Sequence, residues 1–311
     1  MRIKKIDIHA HTAWEVLYRS EQSDEGWQYP ISVPQLREKY DRMGIEKCVA
    51  LPLVSPEGVG DQHTNLAARL CCRDYPETVG WWFCNVDPRM LLNSPDTDFT
   101  PMLETFKSLG AKGIGELTAN LPVDDPRMRN LFWHAEKAGL PVLFHIGNPE
   151  RDYGIVDGPG LYGIERILQD FPSLILIGHS QKWWAEISGD CSAAIRNGYP
   201  EGKVMPGGRL IEIMRRYPNM YCDLSAGSGE NAMRRDPEFA YRFLEEFQDR
   251  VLFGTDLCTP IDEINLSGFL DEAVENGRIS QTVYNKICRE NALRLLGETE
   301  SATEEKGRIE P

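Results

Sequence analysis

Short apolar runs alternate with amphipathic segments along nearly the whole chain, and this alternation constrains the fold more than any other feature. Runs at 3–9 (IKKIDIH), 47–53 (KCVALPL), 78–86 (TVGWWFCNV), 111–117 (AKGIGEL), 140–146 (LPVLFHI), 174–179 (LILIGH), 219–225 (NMYCDLS) and 250–256 (RVLFGTD) read as strands. Segments such as VPQLREKYDRMG, RMRNLFWHAEKAG and RLIEIMRRYP lie between them, several closed by the Gly or Pro that stops a helix. Strands separated by helices run parallel, because each crossover carries the chain back to the same end of the sheet. Eight such units, with no glycine-rich phosphate loop after the first strand, predict an α/β fold: a single (β/α)8 TIM barrel over residues 1–297. Residues 262–275 and 280–296 read as two closing helices. The tail 298–311 is charged and aperiodic, so disorder is expected there. Two connections exceed ordinary loop length, 13–33 after strand 1 and 180–207 after strand 6, both on the face where barrels build their sites.

Charge narrows the partners. Lys and Arg number 34 against 48 Asp and Glu, a net charge of −14, which repels polyanions and argues against nucleic acid or an anionic membrane. The amino terminus lacks an apolar signal core, and the longest apolar stretches fall far short of the roughly 20 residues of a membrane span. Eight scattered cysteines without a C-x-x-C pair fit free thiols. The expectation is a cytoplasmic protein acting on a small molecule, with a homodimer left open.

Four of the six histidines fall where predicted strands end. In DIHAHT, His9 and His11 are two residues apart and so share a strand face, where both can meet one metal ion. His145 ends VLFH, His179 ends LIGH and Asp256 ends FGTD. Glu116 ends AKGIGEL, where it either completes or bridges a metal site or serves as an ion-pair partner in the barrel mouth. His63 and His134 lie on or beside helix-patterned segments and read as packing or helix-start residues. Asp7 precedes His9 by two residues and is either an acceptor behind the ligands or an ordinary core polar group.

The ordered set DIHAHT, FHIG, IGHS, FGTD and the closing ENALRLLG resembles the amidohydrolase superfamily of metal-dependent barrels, in its "amidohydrolase 2" branch of decarboxylases, lactonases and hydratases. The resemblance covers nearly the whole chain. It implies that His9, His11, His145 and Asp256 hold a divalent metal, usually zinc, and that His179 is a further ligand or a catalytic imidazole. Glu116 also resembles the metal-binding glutamate after G-x-G in TatD-type hydrolases, which implies room for a second metal; manganese or iron would suit the same ligands. The sequence departs from members with a carboxylated lysine, since no Lys ends the fourth strand.

On this reading Asp256 is the general base for an activated water and His179 stabilises the developing oxyanion. Trp14, Arg19, Arg151, Tyr153, Lys182, Trp183 and Trp184, on the loops above, suit a small carboxylate with a planar or cyclic body. The function expected is a metal-dependent hydrolase of a small amide, ester or lactone. The alternative is a non-oxidative decarboxylase or hydratase of a cyclic or unsaturated acid, with a TatD-like nuclease or a non-catalytic metal module less favoured on charge.

Overall fold

The computed structural model describes residues 2–15, 30–57, 63–149 and 153–298. All eight expected strands form, as β1 (Lys5–Ala10), β2 (Ile45–Ala50), β3 (Val79–Trp82), β4 (Ile114–Leu117), β5 (Val142–His145), β6 (Leu176–His179), β7 (Met220–Asp223) and β8 (Val251–Leu252). They are parallel throughout, β1–β2–β3 in one run and β4 to β8 in another. Isolated bridges join the two runs at both seams, Cys84 with Ile114 and Ala10 with Leu257. The second seam also carries backbone bonds from Ile8 N to Phe253 O (3.0 Å) and from Asp256 N to His9 O (2.8 Å). The chain is therefore a TIM barrel whose seams are thin and whose strands are shorter than their apolar runs. Several runs leave the ladder before their carboxyl ends.

Helices Val33–Met43, Asn65–Asp74, Pro126–Ala138, Tyr162–Asp170, Arg209–Arg216 and Pro237–Glu246 occupy the expected segments. The first shows why: Ser32 and Gln35 form a reciprocal capping box, Pro34 sits in the first turn, and Gly44 ends the helix at φ 69°. Helices Thr100–Ser108, Gln181–Ala185 and Ala226–Arg234 were not legible as periodic segments. The closing region forms helix Leu266–Glu275 and a final helical stretch with a π turn at Lys286–Glu290. Among the described residues no helix is long and apolar enough to cross a membrane. All eight cysteines are free.

Two apolar layers hold the barrel. Ile6, Ile8, Val49, Leu51, Trp81, Phe83, Leu143, Ile177 and Leu252 fill the interior, plugged by Ala292, Leu293 and Leu296 of the last helix. The larger layer lies between strands and helices. On β1 the two-residue alternation fails, because the register shifts between Asp7 and Ala10. Ile8 is interior, Asp7 turns outward to Tyr40 (2.5 Å), and the shift then admits His9 and His11 to the interior mouth.

The loop after β6 corrects an expectation. Trp183 and Trp184 are 0% and 2% exposed, members of the core, and so do not line a substrate surface. Trp183 lies flat over Gly178, where an added Cβ would stand 2.4 Å from indole Cε2. Trp184 donates its indole N–H to Asp223 O at 3.0 Å. Aromatic residues in a long loop suggest recognition, but here they bury the root of the loop. Gly178→Ala is expected to cost about 1–3 kcal/mol by forcing the indole off its seat. The check is a lowered urea midpoint with unchanged slope.

Candidate active site

His9, His11, Glu116, His145, His179 and Asp256 converge at the carboxyl ends of β1, β4, β5, β6 and β8. His9 Nε2 lies 3.0 Å from His11 Nε2, and both lie 3.3 Å from Asp256 Oδ1. Glu116 Oε2 is 3.2 Å from His11 Nε2 and 3.7 Å from His9 Nε2. Its other oxygen faces the opposite pair, 2.8 Å from His145 Nδ1 and 3.7 Å from His179 Nε2. One carboxylate thus divides its two oxygens between two pairs of imidazoles.

The far sides of the rings fix where the protons sit. His11 Nδ1 faces Leu51 O at 2.9 Å, and a carbonyl only accepts, so that nitrogen carries the hydrogen. His9 Nδ1 donates to Asp223 Oδ2 at 2.7 Å. His179 Nδ1 faces Ser225 Oγ at 3.0 Å, and this hydroxyl donates to Asp223 Oδ2 at 2.6 Å. In the neutral rings, the Nε2 lone pairs of His9 and His11 then point at each other, which is stable only with a cation between or beside them.

The donor set fits a divalent metal. Ligand atoms at 2.0–2.2 Å around a tetrahedral ion stand about 3.4 Å apart. The N···N and N···O separations among His9, His11, Asp256 and Glu116 run from 3.0 to 3.7 Å. The electrostatics agree. Against burial, which opposes charge, the Asp256 and Asp223 carboxylates hold the His9 imidazole well above its usual pKa. Burial and the neighbouring His9 charge are likewise outweighed at His179, where Asp223 and Asp256 raise the pKa to about 9. Burial pushes the carboxyls of Asp223, Glu116 and Asp256 up, yet the imidazoles hold all three below the ordinary range. Such a site carries excess negative potential, which protons satisfy when no metal does.

Asp256 adopts φ 57°, a left-handed conformation uncommon outside glycine, and its N–H bond to His9 O holds it there. Asn85 Nδ2 ties Glu116 O to Pro52 O (2.7 Å to the latter), locking the end of β4 to the loop after β2. Gly254 gives Asp223 its space, since a Cβ there would stand 2.5 Å from Asp223 Oδ1.

Of the two roles left open for Asp7, the structure gives the core polar one. The acceptor behind His9 is Asp223, not Asp7. Asp7 instead accepts the His9 and Thr255 backbone N–H groups at 3.0 and 2.9 Å, and burial raises its pKa to about 6 despite those bonds. Asp223 ends β7 as His179 ends β6, so the strand-end position could have flagged it. His63 stands just before the helix cap Thr64, as expected, but its ring also lies 5.5 Å from that of His11. Burial, then the His11 charge, lowers its pKa to about 3 and keeps it neutral. His134 packs against Trp133 and Phe99, far from this chemistry in role and setting.

Of the loop residues, Tyr153 reaches the site, its ring 4.5 Å from that of His145. Lys182 is buried on the short helix after β6. Trp14 donates instead to Asp74 Oδ2 at 2.7 Å, at the far end of helix Asn65–Asp74. Arg19 and Arg151 lie outside the described residues, as does the tail from 299 onward.

Comparison with known proteins agrees with this geometry. The family model described as Amidohydrolase matches residues 6–297, and the chain belongs to that family. A sequence comparison with curated proteins finds no match. Among solved structures, a 2,6-dihydroxybenzoate decarboxylase from Rhizobium is 18% identical, with TM-score 0.59, covering 95% of this chain and 99% of that one. An amidohydrolase from Burkholderia multivorans is 14% identical, TM-score 0.62, covering 95% and 100%. A probable 2-pyrone-4,6-dicarboxylic acid hydrolase from Acinetobacter baumannii is 13% identical, TM-score 0.56, covering 95% and 100%. At these identities the likeness is one of fold.

Two outcomes follow for metal binding. Asp223→Asn keeps the shape but removes the charge behind His9 and His179, and should weaken affinity about 10–100-fold in a chelator competition. Because binding must displace protons from His9 and His179, affinity in the wild type should rise with pH at least as far as about 9, the value reached by His179. The same competition repeated across pH checks this.

Proposed function

We propose that this amidohydrolase-family chain is a metal-dependent hydrolase of a small amide, ester or lactone, working at a centre with two metal positions. The observation that carries the reading is Glu116, with Oε2 on the His9 and His11 side and Oε1 on the His145 and His179 side. His9, His11 and Asp256 would hold one ion, His145 and His179 the other, and Glu116 would serve both. Zinc suits this nitrogen and oxygen set. When bound, a divalent metal lowers the pKa of coordinated water and polarises a carbonyl.

The chain's own groups supply the rest. Asp256 Oδ2, 3.5 Å from His179 Nε2, accepts the proton of the attacking water. His179 is oriented from behind by Ser225 and Asp223, so that its Nε2 faces the second ion's position, beside the developing oxyanion. Tyr153 offers an aromatic wall beside His145, and Lys182 with Arg19 and Arg151 would favour a carboxylate-bearing substrate.

A decarboxylase of a cyclic acid is the second reading, favoured by the Rhizobium structure's name and fold likeness. Metal content per chain, measured together with turnover on ester, lactone, amide and hydroxybenzoate panels, separates the two. The hydrolase reading expects two metals in the wild type, one in Glu116→Ala, and hydrolysis lowered about 10²–10⁴-fold by Asp256→Asn. One metal in both proteins, with carbon dioxide released from a carboxylic acid, would overturn it in favour of the decarboxylase.

A further inference from the structure

Cys258 stands apart from the chain's structural cysteines. Cys48, Cys71, Cys84, Cys222 and Cys288 are buried in or beside the apolar layers, whereas Cys258 is partly exposed at the catalytic mouth, two residues beyond Asp256. Its backbone is fixed on both sides: its N–H donates to Asp262 Oδ2 at 2.8 Å and its carbonyl accepts from Ile31 N at 2.7 Å. The turn at Asp256 brings the thiol back beside that residue, with Sγ 3.6 Å from Asp256 Oδ1 and 3.3 Å from Asp256 O. Sγ, a ligand nitrogen of His11 and a carboxylate oxygen of Asp256 all lie within 4.8 Å of one another.

That spacing has a direct chemical meaning. With Cys258 joining His9, His11, Asp256 and Glu116, five ligands would meet at about 90–120°, and sulfur at about 2.3 Å and oxygen at about 2.1 Å from one ion then stand about 3.1–3.8 Å apart. An S–H···O bond at this length is weak, and hydrogen bonding alone gives little reason for a thiol here. We propose that Cys258 is a sulfur ligand to the metal held by His11 and Asp256, an inference that rests on the metal-centre reading of the site. On coordination the S–H bond breaks heterolytically: the electron pair stays on sulfur as the ligand pair, and the proton leaves to water. No change of oxidation state occurs. A soft ligand added to imidazole and carboxylate biases the position towards thiophilic ions such as zinc, cobalt or cadmium over manganese or magnesium.

The test uses the full chain, stripped of metal and reloaded with cobalt(II), with bound cobalt counted by elemental mass spectrometry. The expected result is a near-ultraviolet sulfur-to-cobalt charge-transfer band that grows with bound metal. The band should persist in Cys191→Ser and vanish in Cys258→Ser, which still binds cobalt but prefers zinc over manganese less, by at least about tenfold. Cobalt bound to the wild type without such a band, or a band retained in Cys258→Ser, overturns the sulfur ligand and leaves the metal centre standing. Absence of stoichiometric cobalt binding in the wild type overturns the metal centre itself, and this inference with it. Should Cys258→Ser fail to fold, alkylation of wild-type Cys258 followed by peptide mapping gives the same decision. Protection by metal supports the ligand, and equal labelling with and without metal refutes it.

Discussion

The site depends on Asp223, a fully buried carboxylate that holds two imidazoles from behind. An ionised group without solvent survives only where opposite charge and hydrogen bonds compensate it. Here His9, His179 and Ser225 do so, and the same contacts settle which nitrogen of each ring faces the cavity. Glycine at 254 and the indole of Trp184 define the space and the backbone that keep this carboxylate in place. The convergence of lone pairs on the mouth of the barrel is thus set one layer behind it.

Eight parallel strands were legible because each is an apolar run bounded by helix-stopping residues, a signal that survives in a single sequence. His9, His11, Glu116, His145, His179 and Asp256 were legible because polar residues at the end of apolar strands are conspicuous. The route by which His9 enters was not, since simple alternation would place it with Asp7, and only the register shift on β1 separates them. Asp223 carries the same strand-end signal in MYCDLS, but it stands behind the rings rather than among the converging ligands, and that placement comes only from the fold. Trp183 and Trp184 misled for a physical reason: sequence shows where a side chain starts, not whether its neighbours close over it, and the glycine at 178 lets the Trp183 indole close down.

The scaffold separates two requirements that conflict in smaller proteins. Apolar packing fills the lower barrel and is sealed by Leu293 and Leu296, while the converging imidazoles and carboxylates stand at the rim. The barrel's seams are thin between β3 and β4 and between β8 and β1, and two of the candidate ligands stitch the second, through the Asp256 to His9 backbone bond. Ligand geometry and barrel closure therefore share an atom pair.

The anchoring of Trp183 and Trp184 also bears on how such a chain can diversify. Their rings weld the first turn after β6 to the barrel wall and to the carbonyl of Asp223, so the root of the 180–207 loop moves only if the electrostatic framework moves with it. Beyond that root, among the described residues, no hydrogen bond or ion pair ties the loop to the ligand cluster. Exchanging its outer portion is a route to new specificities that leaves the inherited chemistry in place, with the two tryptophans marking the point past which a graft can begin.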